Sequence, residues 1–232
     1  MEDWSNEKMK ERGAGRGTMA EGTGPMHDAQ TAALVRVAAA VARGKAPELQ
    51  ARFAAARDAG VPGLWIEELL LQSMLVVGYP LALVAFAAWR GGGGPAPAQG
   101  GAEDLAHANW ESWAARGETV CREVYGRAYH KLLVNLRALH PALEDLVLVD
   151  AYGKVIGRPG LDLKRRELCT VATTAVLGTA EQLHSHLRGA LNTGADPKEI
   201  EAVLTLIDGD LDPESRRSAR DQWADVRGRK LA

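Results

Sequence analysis

Two ionisable side chains nineteen positions apart, Glu167 and His186, have the types and spacing to exchange a proton between neighbouring helices. They sit in RRELCTVATTAVLGTAEQLHSHLRGALNTG, residues 165–194, which reads as two helices joined by a tight turn at Gly178. Antiparallel packing around that turn brings Glu167, at the start of the first helix, opposite His186 on the second. Leu183, Leu187, Ala190 and Leu191 make an apolar stripe on the second helix, and His186 lies on the same side, one turn after Leu183. An imidazole held by a carboxylate on a mostly apolar wall is a candidate general acid–base pair. A core histidine satisfied by a structural glutamate fits the same spacing.

The neighbouring residues narrow the chemistry. His184 and His186 are two apart on a helix and point to nearly opposite sides, so they cannot share a metal ion. Glu181-x-x-His184 is half of a di-iron carboxylate pattern whose second copy is missing, so no metal site is expected. Cys169 falls at a mainly apolar helical position and reads as a small buried residue. Arg158 lies in a loop just before the hairpin, with Arg165 and Arg166 behind it. Such arginines either clamp a carboxylate with two hydrogen bonds or stay as solvated surface charge.

The elements that must position this hairpin are helical. Alanine is abundant, aromatic residues are 5% of the chain, and runs of β-branched residues are nearly absent, so an all-α class is expected. The net charge of -2 comes from 28 basic and 30 acidic side chains mixed along the chain. No basic stripe interleaves with aromatics, so nucleic acid is not an expected partner. Two distant cysteines outside any C-x-x-C fit a reducing cytoplasm. Residues 64–89 are apolar enough to raise a membrane span, but Glu67, Glu68, Gln72 and the break at Gly78-Tyr79-Pro80 predict two buried helices with a kink instead.

In order, the chain predicts a disordered leader over 1–30, a first helical unit over 31–89 and a Gly/Pro-rich linker over 90–101. A second helical domain follows over 102–207, and then a charged tail over 208–232, read as a surface helix or a loose end. Within the second domain one helix is expected over 103–139 and another over 142–154. Asp196, Pro197 and Glu199 then spell a capping box with proline at the first helical position.

The two units are related. A shift of 134 residues lays Gly44 on Gly178, Leu49 on Leu183, Ala56 on Ala190, Gly60 on Gly194 and Ile66 on Ile200. Ala33 then stands opposite Glu167, and Arg52 opposite His186. The first half keeps the packing positions and lacks the ionisable pair. Conversely Gln72 and Gly78-Tyr79-Pro80 belong to the first half alone, where the second has Leu206 and the acids Asp208, Asp210 and Asp212. Each half supplies a part the other lacks.

At these residues the chain resembles the carboxymuconolactone decarboxylase family, which includes an alkylhydroperoxidase D branch. The carriers are Tyr152-Gly153-Lys154-Val155, Arg158-Pro159-Gly160-Leu161-Asp162, Arg166-Glu167-Leu168, Glu181-Gln182-Leu183, His186, Ala190 to Gly194 and Glu199-Ile200. Upstream, Arg116-Gly117 and Arg122 to Gly126 are similar to the decarboxylases' amino-terminal helix. The resemblance implies an internally duplicated helical bundle of the alkylhydroperoxidase D-like type that forms a homo-oligomer, a trimer or hexamer. In the peroxidase branch, cysteines stand where this chain has Thr179 and Gln182, so disulfide-cycling peroxidase chemistry is not expected. What the resemblance does imply is a lyase or isomerase, without metal or organic cofactor, acting on a small carboxylate or lactone. His186 would donate the proton and Glu167 orient it. Arg158 and Arg165 would bind the substrate carboxylate, with Glu181, Thr179 and Gln182 lining the site. A peroxidase-branch oxidoreductase using Cys169 alone, or a non-catalytic helical module, are the alternatives.

Overall fold

In a computed structural model the described residues are 28–95 and 109–230. The expected leader up to residue 27 and the expected linker from residue 96 lie outside them. Within them the chain is helical throughout, with no strand. The first unit comprises α1 (Ala29–Arg43), α2 (Ala46–Asp58) and α3 (Gly63–Gly91). The second has α4 (Trp110–Tyr125), α5 (Tyr129–Leu139), the one-turn α6 (Leu143–Asp145), α7 (Leu163–Val176), α8 (Ala180–Asn192), α9 (Pro197–Leu206) and α10 (Pro213–Lys230).

The repeat seen in the sequence is a repeat in space. Asp28 and Asp162 cap α1 and α7, each side chain accepting from a backbone N–H of the first turn at 3.0 Å. Gly44 and Gly178, both with positive φ, turn the chain into the second helix of each hairpin. Glu67 and Glu201 each accept from an indole N–H, of Trp89 at 3.4 Å and of Trp223 at 3.3 Å. The same shift relates both pairs. The two halves meet along α1 and α7. Arg165 reaches Thr31 near their starts and Thr173 reaches the Ala38 carbonyl two turns on, so the two helices run side by side in the same direction. Nearly everything between Leu34 and Ala42 and between Arg166 and Ala175 is buried, and alanines let the backbones approach.

The halves diverge after their third helix begins. In the first half α3 continues through Gly78, whose φ of 75° and ψ of 168° break the helical path just before Pro80. This is the kink expected at Gly78-Tyr79-Pro80, but the expected burial on both sides of it is not found, since only a third of the apolar window of α3 is buried. By length and composition alone α3 is long and apolar enough to cross a membrane. It sets Ile66, Leu69, Leu70, Ala85 and Trp89 into the core and exposes Leu64, Leu75, Tyr79, Leu83 and Val84. In the second half the path is cut in two. Asp196 and Glu199 form the anticipated capping box at the start of α9, and Asp212 opens α10 by accepting from the Glu214 and Ser215 amides. The charged tail is therefore a docked surface helix, with Ala219, Trp223 and Val226 buried in the main core.

Two expectations need correction. The helix anticipated over 103–139 breaks at Gly126, with φ of 51° and ψ of −125°, into α4, a 3-10 turn and α5. The helix anticipated over 142–154 is mostly a π-helix, Leu146–Ile156, continuing from α6. A π-helix this long is rare, and composition alone does not set it apart from an α-helix. The π-helix crosses α4 at two glycines. A Cβ on Gly117 would collide with the Leu148 carbonyl, and one on Gly153 with the Trp113 carbonyl. Arg116 Nε closes the crossing with a 2.7 Å bond to the Gly153 carbonyl. Gly117→Ala is expected to lose about 2 kcal/mol of stability, because the backbone collision outweighs the ~1 kcal/mol helix-propensity gain of alanine. Urea unfolding reads this, and a variant as stable as the parent would show that the helices can part without cost.

Candidate active site

Glu167 occupies the first turn and a half of α7, facing α8. Its Oε2 is 2.9 Å from Nδ1 of His186, with the Glu167 side chain 3% and the His186 side chain 15% exposed. A carboxylate can only accept, so the hydrogen in this bond sits on Nδ1. That leaves Nε2 as the ring nitrogen without a hydrogen-bond partner among the described residues. The sequence-derived pair is thus brought together, with the acid buried and the imidazole slightly exposed.

What lets Glu167 sit there is a residue the sequence reading passed over. Gly189 lies three positions after His186, and a Cβ on it would fall on Glu167 Oε2 and 3.0 Å from Val124 Cγ1. Gly189→Ala is expected to push the carboxylate off His186 and lower turnover roughly tenfold with little change in stability, since the obstructed group is a side-chain end. Equal turnover with an unmoved His186 ring resonance would show that the space is not needed.

Above the pair lies α4. Asn192 at the end of α8 donates to the Val124 carbonyl at 2.8 Å and fixes α4 against α8. Cys121, Val124 and Tyr152 form the buried second core beside it, with Tyr125 packed against them. Burial, and then the nearby Glu167 charge, push the Cys121 thiol up to about 12. Burial likewise lifts the Tyr125 hydroxyl to about 12 against the opposing hydrogen bond with Tyr152, and the two rings meet edge-on at 6.0 Å. These groups stay neutral at ordinary pH, so Glu167 has a neutral thiol and neutral phenols on this side. No single residue signal in the sequence marked Cys121, Tyr125 or Tyr152 as neighbours of Glu167. They come from a helix more than forty residues upstream and from a π-helical turn.

The remaining sequence candidates divide. Gln182 and Thr179 stand four and seven residues before His186, which puts them on its side of α8. Thr179 also donates to the Thr174 carbonyl at 3.3 Å, and Glu181 is exposed at the start of the helix. Arg158 and Arg165 are not brought to the pair. Arg165 is held by Asp28 and Asp162, both at 2.6 Å, donates to Thr31 and lies over the Trp65 ring at 4.2 Å. Asp28, Thr31 and Trp65 come from the far half of the chain, which spacing could not foresee. Arg158 turns to Glu68 of α3, 3.1 Å away.

That contact opens a buried polar network. Arg166, fully buried, donates to Glu68 at 2.9 Å, to the Leu161 carbonyl at 3.0 Å and to the Arg158 carbonyl at 3.1 Å. Gln72 donates to the Arg166 carbonyl at 2.8 Å and to Thr170 Oγ1 at 2.9 Å. Glu68 and Gln72 belong to the first half, Arg166 and Thr170 to the second. Burial pulls the Arg166 guanidinium below its ordinary pKa, opposed by the Glu68 hydrogen bond and charge. The first half thus brackets Glu167 by gripping the turns of α7 on either side of it.

Cys169 is fully buried, and burial raises its thiol far above the usual range, so it does not offer the thiolate a peroxidatic mechanism needs. No cluster of three or more metal-ligating side chains occurs among the described residues.

Two parallel, capped hairpins around α1 and α7, one carrying a Glu–His pair, define an internally duplicated helical bundle of the alkylhydroperoxidase D-like type. The chain belongs to the carboxymuconolactone decarboxylase family, whose sequence profile matches it twice, over residues 16–91 and 147–220. Over 97 residues it is 31% identical to a 4-carboxymuconolactone decarboxylase of Acinetobacter baylyi, a match covering 41% of this chain and 72% of that one. It is also 37% identical over 90 residues to a nitrosuccinic acid decarboxylase of Metarhizium robertsii, covering 38% of this chain and 63% of the relative. A third match, to peroxisomal protein 2 of Saccharomyces cerevisiae, is 31% identical over 84 residues and covers 36% of this chain and 30% of the relative.

Proposed function

We propose that the protein is a decarboxylase working by proton transfer from the Glu167–His186 pair on a small carboxylate or lactone metabolite. The observation that carries this reading is the 2.9 Å bond from buried Glu167 to His186 Nδ1, which leaves Nε2 available for substrate. Two of the relatives are named as decarboxylases of small acids, which supports the same class. When the carbon–carboxylate bond breaks, carbon dioxide leaves and the electron pair stays on the former α-carbon as an enolate. With His186 as the imidazolium, a proton on each ring nitrogen, Nε2–H delivers its proton to that carbon, which leaves the neutral Nδ1–H tautomer, and solvent returns a proton to Nε2. Glu167 keeps the ring oriented and balances its charge while it is protonated. The buried Cys121, Tyr125 and Tyr152 wall limits water around the pair, which strengthens its electrostatics. Gln182 and Thr179, on the same side of α8, contact the substrate.

The test is carbon dioxide release from carboxymuconolactone-type lactones and nitro-substituted dicarboxylates by the purified protein. Turnover by the parent that falls away in His186→Ala supports the reading. Equal turnover in that variant removes His186 from the mechanism, and an inert parent removes the decarboxylase.

A further inference from the structure

We infer that the first half holds a second ligand site, at the position corresponding to the Glu167–His186 pair, converted from proton transfer to binding a small organic carboxylate. Between α1 and α2 lies a cavity of ≈ 270 Å³. Its walls are alanines, Ala32, Ala33 and Ala55 among them, and its only charged lining residues are Arg36 and Arg52. The shift of 134 residues carries Ala33 onto Glu167, Arg52 onto His186 and Ala55 onto Gly189. The cavity is therefore the volume that the Glu167 carboxylate and its partners occupy in the second half, emptied by an alanine and reached by a guanidinium instead of an imidazole.

Two further features distinguish it from an idle remnant. In the second half α4 lies on the corresponding face of α8, tied down through Asn192 and leaning Val124 toward Gly189. Among the described residues no helix takes that place on α2, whose neighbours are α1 and α3. The charges are also uncompensated. Arg43, Arg90, Arg158, Arg165 and Arg166 are each paired with a carboxylate. Arg36 and Arg52 have no hydrogen bond or ion pair among the described residues, and no carboxylate lines the cavity. Two cations from different helices over an apolar floor suit a planar anion with a short hydrocarbon body, because each guanidinium can offer paired N–H donors while the alanines take the methylenes. The volume is at the lower edge of ordinary ligand pockets and limits the ligand to a small acid.

This inference does not rest on the decarboxylase reading, and its test separates the two. Succinate is titrated into the full chain labelled at alanine methyls, with calorimetry in parallel at low salt. The expected result is that the Ala33 and Ala55 methyl resonances shift on binding, that Arg36→Ala and Arg52→Ala each weaken this site about tenfold, and that raising the salt weakens it further. His186→Ala leaves these methyl shifts and their affinity unchanged, whatever it does to turnover. The inference is overturned if the Ala33 and Ala55 methyls do not respond in the parent protein. It is equally overturned if the Arg36→Ala/Arg52→Ala double variant titrates like the parent, or if the response disappears in His186→Ala.

Discussion

Glu68→Ala is expected to remove about 3–5 kcal/mol of folding stability, the largest loss for any single side chain outside the apolar core. Arg166 is fully buried and its guanidinium stays charged, so deleting Glu68 strands a cation in a site without water. The 3.1 Å contact from Arg158 to the same carboxylate is lost with it. The penalty is that of an unpaired charge rather than the worth of the ion pair. The double variant Glu68→Ala/Arg166→Met should therefore recover much of the loss, since replacing a buried pair by apolar side chains is often neutral. Urea midpoints of the parent and the two variants settle the matter. A Glu68→Ala protein within about 1 kcal/mol of the parent would mean that the network is wetter than the packing implies.

The same network explains why the two halves are unequal. Under the repeat, Glu68, Gln72 and Arg166 correspond to Ala202, Leu206 and Ala32, and Thr170 to Arg36. The grip of one half's third helix on the other half's central helix thus exists on one side only, the side that carries the Glu–His pair. On the other side the polar partners have become small or apolar, and Arg36 is left facing a cavity. Duplication here has produced one braced site and one open one.

Much of this was legible in the sequence where the signal is local. Asp196-Pro197-x-Glu199 spells its cap, Gly178 its turn, and Gly78-Tyr79-Pro80 its break, because each depends on the backbone preferences of residues adjacent in the chain. The facing of Glu167 and His186 was legible because a short turn leaves two helices little choice but to pack against each other. Long-range partners were not. Arg165 sits two residues from Glu167 yet points to Asp28 of the other half, and nothing in its neighbourhood signals that. The tail reads as loosely charged because only Ala219, Trp223 and Val226 face the core. Yet the shift that pairs Gly44 with Gly178 also lays Trp223 on Trp89 and Glu201 on Glu67, and that correspondence could have docked α10 from sequence alone. The π-helix leaves no such trace.

His186→Ala is expected to lower the rate of carbon dioxide release by about 10²–10⁴-fold, the range associated with losing a positioned proton donor, while leaving the fold intact. Glu167→Gln should have a smaller but still large effect. An amide can accept the Nδ1–H as the carboxylate does, but it can also present its NH2 to the ring and so favour the wrong tautomer, and it cannot balance an imidazolium. If the two residues act as one unit, the double variant is no slower than His186→Ala alone, because Glu167 works only through the imidazole. Multiplying losses in kcat would instead assign Glu167 its own contact with substrate. A double variant that matches His186→Ala would identify the 2.9 Å bond as the route by which a buried acid serves a reaction it never touches.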